Sequence, residues 1–267
     1  MTKLKAVIFD WAGTVVDHGS LAPMGVFVEA FAEFGVKITV AEARGPMGMA
    51  KRPHIATLLG LHRIAEEWTR VRGHAPTEAD VDAVYDVFVP KNIAVAASFA
   101  DLIPGAADVA RAVKERGMLI GSTTGYTREI MEKITPVAAG QGFAPDAMAA
   151  TGDAPDGRPT PFLYYKVLLD LAVWPSFATV KVDDTEIGIA EGLNAGAWTV
   201  GVALTGNLTG LSVTDLNALS DDERDYYRQA ATRKLLAAGA HYVIDGVGDL
   251  LPVLDAIDGR LVRGERP

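Results

Sequence analysis

Lys5-Ala6-Val7-Ile8-Phe9-Asp10-Trp11-Ala12-Gly13-Thr14 is the stretch on which the reading of this chain turns. A short, unbroken apolar run ending in an acid is the pattern of a parallel strand, which is covered on both faces and therefore does not alternate. A glycine turn follows at once. Similar runs recur at residues 118–122, leading into Thr123-Thr124-Gly125-Tyr126, and at 178–182, ending at Asp183-Asp184. Two more lie at 198–203 and 241–244. Helical patterns separate them: 106–116 stops at Gly117, 162–172 follows Pro161, and 186–195 stops at Gly196. Ser220-x-x-Glu223 has capping-box spacing and opens a long helix that ends near Gly239. Strand alternating with helix predicts an α/β fold, a doubly wound parallel sheet with a Rossmann-like core.

Residues 19–99 break that alternation. Phe27, Phe31 and Phe34 recur at i, i+4 and i+7 and share a helix face. Thr39-x-x-Glu42 and Thr77-x-x-Asp80 read as helix starts, and Val81, Val84 and Phe88 form another helical stripe. The expectation is a core domain of residues 1–18 and 100–267, with 19–99 inserted as a helical cap domain.

Composition bounds the function. The chain has 267 residues, 49% of them hydrophobic, which suits one large domain or a domain with an insert. Twenty-five Lys+Arg against 34 Asp+Glu gives 25 − 34 = −9, which argues against nucleic acid as a partner. With no cysteine, disulfides, thiolate metal sites and cysteine nucleophiles are excluded. No apolar run approaches the ~18–20 residues that span a bilayer. The first apolar run stops at Asp10, too short for a signal peptide. A cytoplasmic protein without membrane contact is expected.

Ligands of open parallel sheets bind outside the carboxyl ends of the strands. Asp10, Ser122-Thr123-Thr124-Gly125 and Asp183-Asp184 all fall at such ends. Any one acid alone reads as a helix cap. Together they make a hard-oxygen site suited to Mg²⁺, with helix N-termini nearby for phosphate.

These segments carry a family resemblance. Phe9-Asp10-Trp11-Ala12-Gly13-Thr14 resembles the first motif of the haloacid dehalogenase-like phosphotransferases, whose aspartate attacks phosphorus. Ser122–Gly125, Arg158 and Asp183-Asp184 stand where the second, third and fourth motifs belong. More narrowly, D-W-A-G-T at 10–14, G-S-T-T-G-Y-T at 121–127 and Pro46-Met47-Gly48 followed by Lys51 are similar to the phosphonatases, the phosphonoacetaldehyde hydrolase family. The resemblance implies cleavage of a phosphorus–carbon bond through a Schiff base on Lys51 and an aspartyl phosphate on Asp10. It implies Mg²⁺ held by Asp10, the Ala12 carbonyl and Asp184, and a phosphoryl clamp of Thr124, Gly125 and Arg158. Met47 and Tyr126 would line the pocket, and His54 would assist proton transfer. A homodimer is implied too, and the Phe-rich first cap helix also suggests one.

Two positions depart from the ordinary phosphatases of that superfamily. Ala12 replaces the acid that protonates a leaving alkoxide, which an imine-stabilised carbon leaving group does not need. Gly188 stands four residues after Asp184, where many members carry a further aspartate; Asp183 or a water would fill the gap. Asp184 is expected to be the metal ligand of the pair. Competing readings are a phosphate-ester phosphatase or sugar-phosphate mutase of the same fold, and a catalytically silent binding protein.

Overall fold

The computed structural model of the protein describes residues 2–267. Its six strands are β1 (Ala6–Phe9), β2 (Leu119–Thr127), β3 (Ala147–Thr151), β4 (Thr179–Asp183), β5 (Trp198–Val202) and β6 (Tyr242–Ile244). They form one sheet in the order β3-β2-β1-β4-β5-β6, every neighbouring pair parallel. The order reverses at β1, so the crevice between β1 and β4 is the topological switch point where open α/β sheets bind ligands.

Helices α1 (Ala22–Glu33), α2 (Val40–Arg44), α3 (Lys51–Gly60), α4 (His62–Arg72) and α5 (Glu78–Ala96) all lie between β1 and β2. The rest of the chain adds α6 (Ala106–Glu115), α7 (Arg128–Gly140), α8 (Phe162–Asp170), α9 (Glu186–Asn194), α10 (Val213–Ala218), α11 (Asp221–Ala237) and α12 (Leu250–Val262). The three capping boxes read from sequence are formed at α2, α5 and α11, each with side chain and backbone satisfying one another reciprocally. No helix among the described residues is long and apolar enough to cross a membrane.

The insert has its own apolar cluster, built on Phe27, Phe31, Ile55, Trp68, Val84 and Phe88, apart from the clusters flanking the sheet. Phe27 and Phe31 are fully buried there, and Phe34 lies against Trp68 with ring centroids 5.4 Å apart. Phe27 and Phe31 on the α1 face are thus consumed within the insert, while Phe34 remains half-buried. Chain entry and exit are tied together at the base of the insert: Val16 bridges Leu102, and the Ile103 N–H donates to the Val15 carbonyl at 2.8 Å.

Two sequence expectations are corrected. β2 does not stop at Ser122; it runs to Thr127, and its pairing with β3 changes register between Thr123 and Thr127. The Thr-Thr-Gly-Tyr segment is therefore an irregular strand end, a bulge of the kind that re-aims side chains beside active sites. β3 had no counterpart in the sequence reading, because Ala147-Met-Ala-Ala-Thr151 is alanine-rich and carries little strand propensity. It holds its place as an edge strand against β2.

Gly192 shows how tightly α9 sits on the sheet. A Cβ there would lie 2.6 Å from Lys181 Cβ and 2.8 Å from Thr199 Cγ2, atoms fixed to β4 and β5. In an open helix, Gly→Ala would gain up to ~1 kcal/mol of propensity. Here overpacking, at about 1–3 kcal/mol, outweighs it. Gly192→Ala is expected to lower unfolding free energy by about 1–2 kcal/mol in urea with an unchanged m-value; an equal or higher midpoint would show that α9 can lift away.

Candidate active site

β1 and β4 are paired with Phe9 opposite Val182, so Asp10 and Asp183 emerge side by side at the carboxyl ends of two adjacent strands. The Asp10 N–H donates to the Val182 carbonyl at 2.9 Å and fixes the backbone just before the turn. One carboxylate oxygen from each of Asp10, Asp183 and Asp184 falls within 4.8 Å of the others. All three acids are buried.

The neighbours of Asp183 and Asp184 separate their roles. Asp183 Oδ1 accepts from the Thr185 N–H at 3.0 Å and its hydroxyl at 2.7 Å. Its Oδ2 lies 3.1 Å from Lys181 Nζ and 3.4 Å from Arg158 Nη1. Burial opposes its charge, but Lys181, Arg158 and the Thr185 donors outweigh burial and hold its pKa below the usual value. Asp184 forms no ion pair among the described residues. Its Oδ2 accepts from the Asn207 N–H at 2.6 Å, and its Oδ1 from the Thr14 hydroxyl at 3.4 Å. Burial, then Asp10 and Asp183, push its pKa well up. Asp184 lines the active-site cavity and Asp183 lies behind it.

Gly188 explains that arrangement. A Cβ at 188 would lie 1.9 Å from Asp183 Cγ. The Asp183 carboxylate occupies the space into which a side chain at 188 would grow.

Behind the acids is an ion network that the sequence reading missed. Lys181 Nζ lies 2.9 Å from Glu191 Oε2 and donates to the Thr123 hydroxyl at 2.7 Å. Thr123 in turn donates to Glu191 Oε2 at 2.7 Å. Arg158 donates from Nη1 to Asp10 Oδ1 and from Nη2 to Thr123 Oγ1, each at 2.8 Å, and also bonds the Thr123 carbonyl. Its Nε is 3.1 Å from Glu191 Oε2. Lysine within the apolar run of 179–182 was the available sign, since an unpaired lysine is almost never fully buried. Glu191 gave none, because a glutamate in a helix reads as solvated.

Four buried carboxylates (Asp10, Asp183, Asp184, Glu191) thus face two buried cations (Arg158, Lys181), a formal excess of 2 − 4 = −2. Asp10 registers the imbalance. Burial and then Asp183 raise its pKa to about 6 against the pull of Arg158 and Lys181. An all-oxygen donor set with surplus negative charge fits a divalent cation, and Asp10, Asp183 and Asp184 are the acids whose oxygens cluster closely enough to hold one.

The cavity above these acids is small, with room for little more than a single water molecule. Asp10, Ala12, Thr124, Gly125, Arg158 and Asp184 form its core side. Met47 and Lys51 reach in from the insert, and Tyr126 and Ser20 complete the wall. Ser20, unremarked in the sequence, is fully buried with a hydroxyl that has no partner. Lys51 opens α3 and is only 4% exposed. Its Nζ lies 3.9 Å from Met47 Sδ and 4.8 Å from the Tyr126 ring centroid, and it forms no ion pair among the described residues. Burial lowers its pKa to about 8, although Asp10 opposes the shift. His54 does not line the cavity. It stacks on Phe27 at 4.0 Å, and its Nε2 pairs with the Ala43 carbonyl at 2.8 Å, which makes Nε2 the protonated nitrogen. Burial, reinforced by Lys51, lowers its pKa to about 3, and Nδ1 is left without a partner.

The family model for haloacid dehalogenase-like hydrolases matches residues 4–196. A phosphonoacetaldehyde hydrolase of Paraburkholderia phytofirmans is 63% identical over 267 residues and covers all of both chains. One from Nitratidesulfovibrio vulgaris is 45% identical, over 99% of this chain and 94% of its own. The chain belongs to the phosphonoacetaldehyde hydrolase family of haloacid dehalogenase-like hydrolases. The crystal structure of a phosphonoacetaldehyde hydrolase-like protein from Oleispira antarctica superimposes with a TM-score of 0.98 at 44% identity, covering 99% of this chain and 96% of that one. At 19% identity, CbbY of Rhodobacter sphaeroides (TM-score 0.65, 94% of this chain and 99% of that one) shares the fold.

The raised carboxyls predict how a divalent cation stabilises this protein. An acid whose pKa rises from 3.8 to about 6 on folding stabilises the fold below its unfolded pKa, and that stabilisation is lost as pH climbs through 6. Asp184 shifts in the same direction. A cation bound between ionised carboxylates must displace those protons at pH 5 but few of them at pH 7.5. The rise in Tm on adding a divalent cation to chelator-treated protein should therefore be several degrees larger at pH 7.5 than at pH 5. Equal increments at both pH values would mean that these acids do not hold it.

Proposed function

We propose that this protein hydrolyses the phosphorus–carbon bond of phosphonoacetaldehyde to acetaldehyde and phosphate, using Lys51 to form an imine and Asp10 as nucleophile. The observation that carries the reading is a buried lysine without an ion pair, sharing a small cavity with a strand-end aspartate, while position 12 carries no acid. Full-length relatives bearing the phosphonoacetaldehyde hydrolase name support it. Residues 19–99 serve as the cap that brings Met47 and Lys51 over the core.

Imine formation needs a neutral amine. With a pKa of about 8, about one Lys51 in ten is neutral at pH 7; at the ordinary value of 10.5 it would be about one in three thousand. The amine adds to the aldehyde carbon and water leaves, giving a protonated imine. His54, with its Nε2 proton committed to Ala43 and its pKa lowered by burial and by Lys51, stays neutral one helical turn from Lys51 and adds no positive charge beside the amine. An Asp10 oxygen then attacks phosphorus as the P–C bond breaks. The bond's electron pair moves through carbon to the iminium nitrogen, leaving an enamine on Lys51 and a phosphoryl group on Asp10. Water attacks that phosphorus and frees phosphate. The enamine takes a proton at carbon, and a second water hydrolyses the imine to acetaldehyde and Lys51. One water is released and two are consumed, a net uptake of one.

Thr124, Gly125 and Arg158 grip the phosphonate oxygens, and Arg158 reaches both Asp10 and Thr123 from one planar fork. Mg²⁺, when bound by Asp10, the Ala12 carbonyl and Asp184, would offset the charge that keeps a carboxylate from a dianionic phosphonate. Asp183 stays paired to Lys181 and Arg158 and supports the site from behind.

Phosphate release from phosphonoacetaldehyde, but not from p-nitrophenyl phosphate, is the deciding assay. Borohydride added with the aldehyde should inactivate the enzyme and leave a reduced adduct on Lys51; an adduct on another lysine would overturn the assignment. Lys51→Arg should lower kcat by 10³-fold or more, since a guanidinium stays protonated. For the wild type, kcat/KM should climb with pH towards about 8 as Lys51 loses its proton, and a flat profile from 6 to 8 contradicts that role. Ala12→Asp places a carboxylate in the cavity, where it raises the pKa of Lys51 and repels the phosphonate. Its kcat/KM for phosphonoacetaldehyde should fall at least tenfold while the fold is kept. Unchanged turnover would show that the missing acid is irrelevant.

A further inference from the structure

Arg44 ends α2, and its guanidinium crosses from the insert into the core. Nη1 donates to the Gly19 carbonyl at 2.8 Å, to Asn207 Oδ1 at 3.0 Å and to the Asn207 carbonyl at 3.3 Å. Nη2 donates to the Gly210 carbonyl at 3.2 Å. Asn207 answers with its side chain, Nδ2 donating to the Arg44 carbonyl at 3.3 Å. Gly210 has φ +67° and lies so close that a Cβ would come within 2.6 Å of Arg44 Cζ. One planar fork thus joins the chain's entry into the insert, the loop after β5 and α2 in a single cluster.

Asn207 is also the closer of the two donors to Asp184, through the backbone N–H at 2.6 Å. The residue gripped by the insert through its side chain therefore aims the Asp184 carboxylate through its main chain. We propose that Arg44 and Asn207 are positioning residues that couple docking of the insert to the orientation of Asp184. With the insert docked, the 207–210 loop is held and Asp184 is set for a divalent cation; with Arg44 withdrawn, the loop relaxes and Asp184 loses its shorter hydrogen bond. The same contact that brings Lys51 over Asp10 thereby readies the metal side of the site. This inference rests on the proposed role of Asp184 as a metal ligand.

Electrostatics alone predicts the opposite sign, which makes the coupling testable. Asp184 is among the charges that act on Arg44, so deleting the guanidinium should by Coulomb attraction tighten a divalent cation at Asp184. Loss of positioning should loosen it. The experiment is calorimetric titration of MgCl₂ into full-length wild type, Arg44→Gln, Arg44→Lys and Asn207→Ala at pH 7.5 without substrate. Thermal unfolding checks that each variant is folded. The expected result is a threefold to tenfold rise in Kd for Arg44→Gln and for Asn207→Ala. Arg44→Lys should not restore binding, because an ammonium keeps the charge but not the fork; it also carries the test should Arg44→Gln fail to fold. Unchanged or tighter binding in the Arg44 variants overturns the coupling, as does a loss confined to Asn207→Ala. A wild type that binds no Mg²⁺ at millimolar concentration overturns the metal reading itself, and this inference with it.

Discussion

The structure depends on burying four carboxylates at the carboxyl ends of β1 and β4, where among the described residues Arg158 and Lys181 are the cations at ion-pair distance. Ionised carboxylates are costly to bury, and a pair is tolerated only when opposite charge and hydrogen bonds compensate it. Here compensation is uneven. Glu191 and Asp183 share Lys181 and Arg158, whereas Asp184 has hydrogen-bond donors alone and Asp10 has one guanidinium. The surplus negative charge therefore gathers at Asp10 and Asp184, the two acids that line the cavity, and their pKa values rise together. That unevenness leaves Asp10 and Asp184 facing the cavity at the ends of two adjacent strands, with Asp183 and Glu191 braced behind them.

The brace explains features that look unrelated in the chain. Gly188 is required because the Asp183 carboxylate fills the space beyond its Cα, and Gly192 because α9 must come close enough to deliver Glu191 to Lys181. Thr123 lies where β2 begins its irregular stretch, and it bonds Lys181, Glu191 and Arg158 at once. β2, β4, α9 and the loop carrying Arg158 are thereby locked together below the cavity floor. The roof is joined separately, by the insert through Arg44.

Floor and roof impose opposite demands on charge. The floor collects negative charge, while the insert supplies a buried lysine whose amine, in the proposed reaction, must be neutral to condense with an aldehyde. Asp10 pulls the Lys51 pKa upward, and burial pulls it down more strongly. The contacts nearest to Lys51 are Met47 and the rings of Tyr126 and Phe27, none of which carries formal charge. An acid at position 12 would pull the Lys51 pKa further upward, so the proposed imine chemistry favours the alanine found there.

Much of this was legible in the sequence because it rests on local pattern. The strand β1 ending in Asp10, the Asp183-Asp184 pair after β4 and the three capping boxes are set by short-range periodicity and capping chemistry. β3 was not legible, since an alanine-rich edge strand is specified by the neighbour it pairs with. The use of Phe27 and Phe31 inside the insert, the placing of His54 beside the cavity wall, and the Lys181–Glu191 brace were hidden for the same reason. They join residues ten to seventy positions apart, and which side of a helix or strand meets which partner is fixed only when the layers pack. The sequence alone determined which groups stand at the strand ends; tertiary structure decided which of them keep their charge, because burial and neighbouring charges act through space.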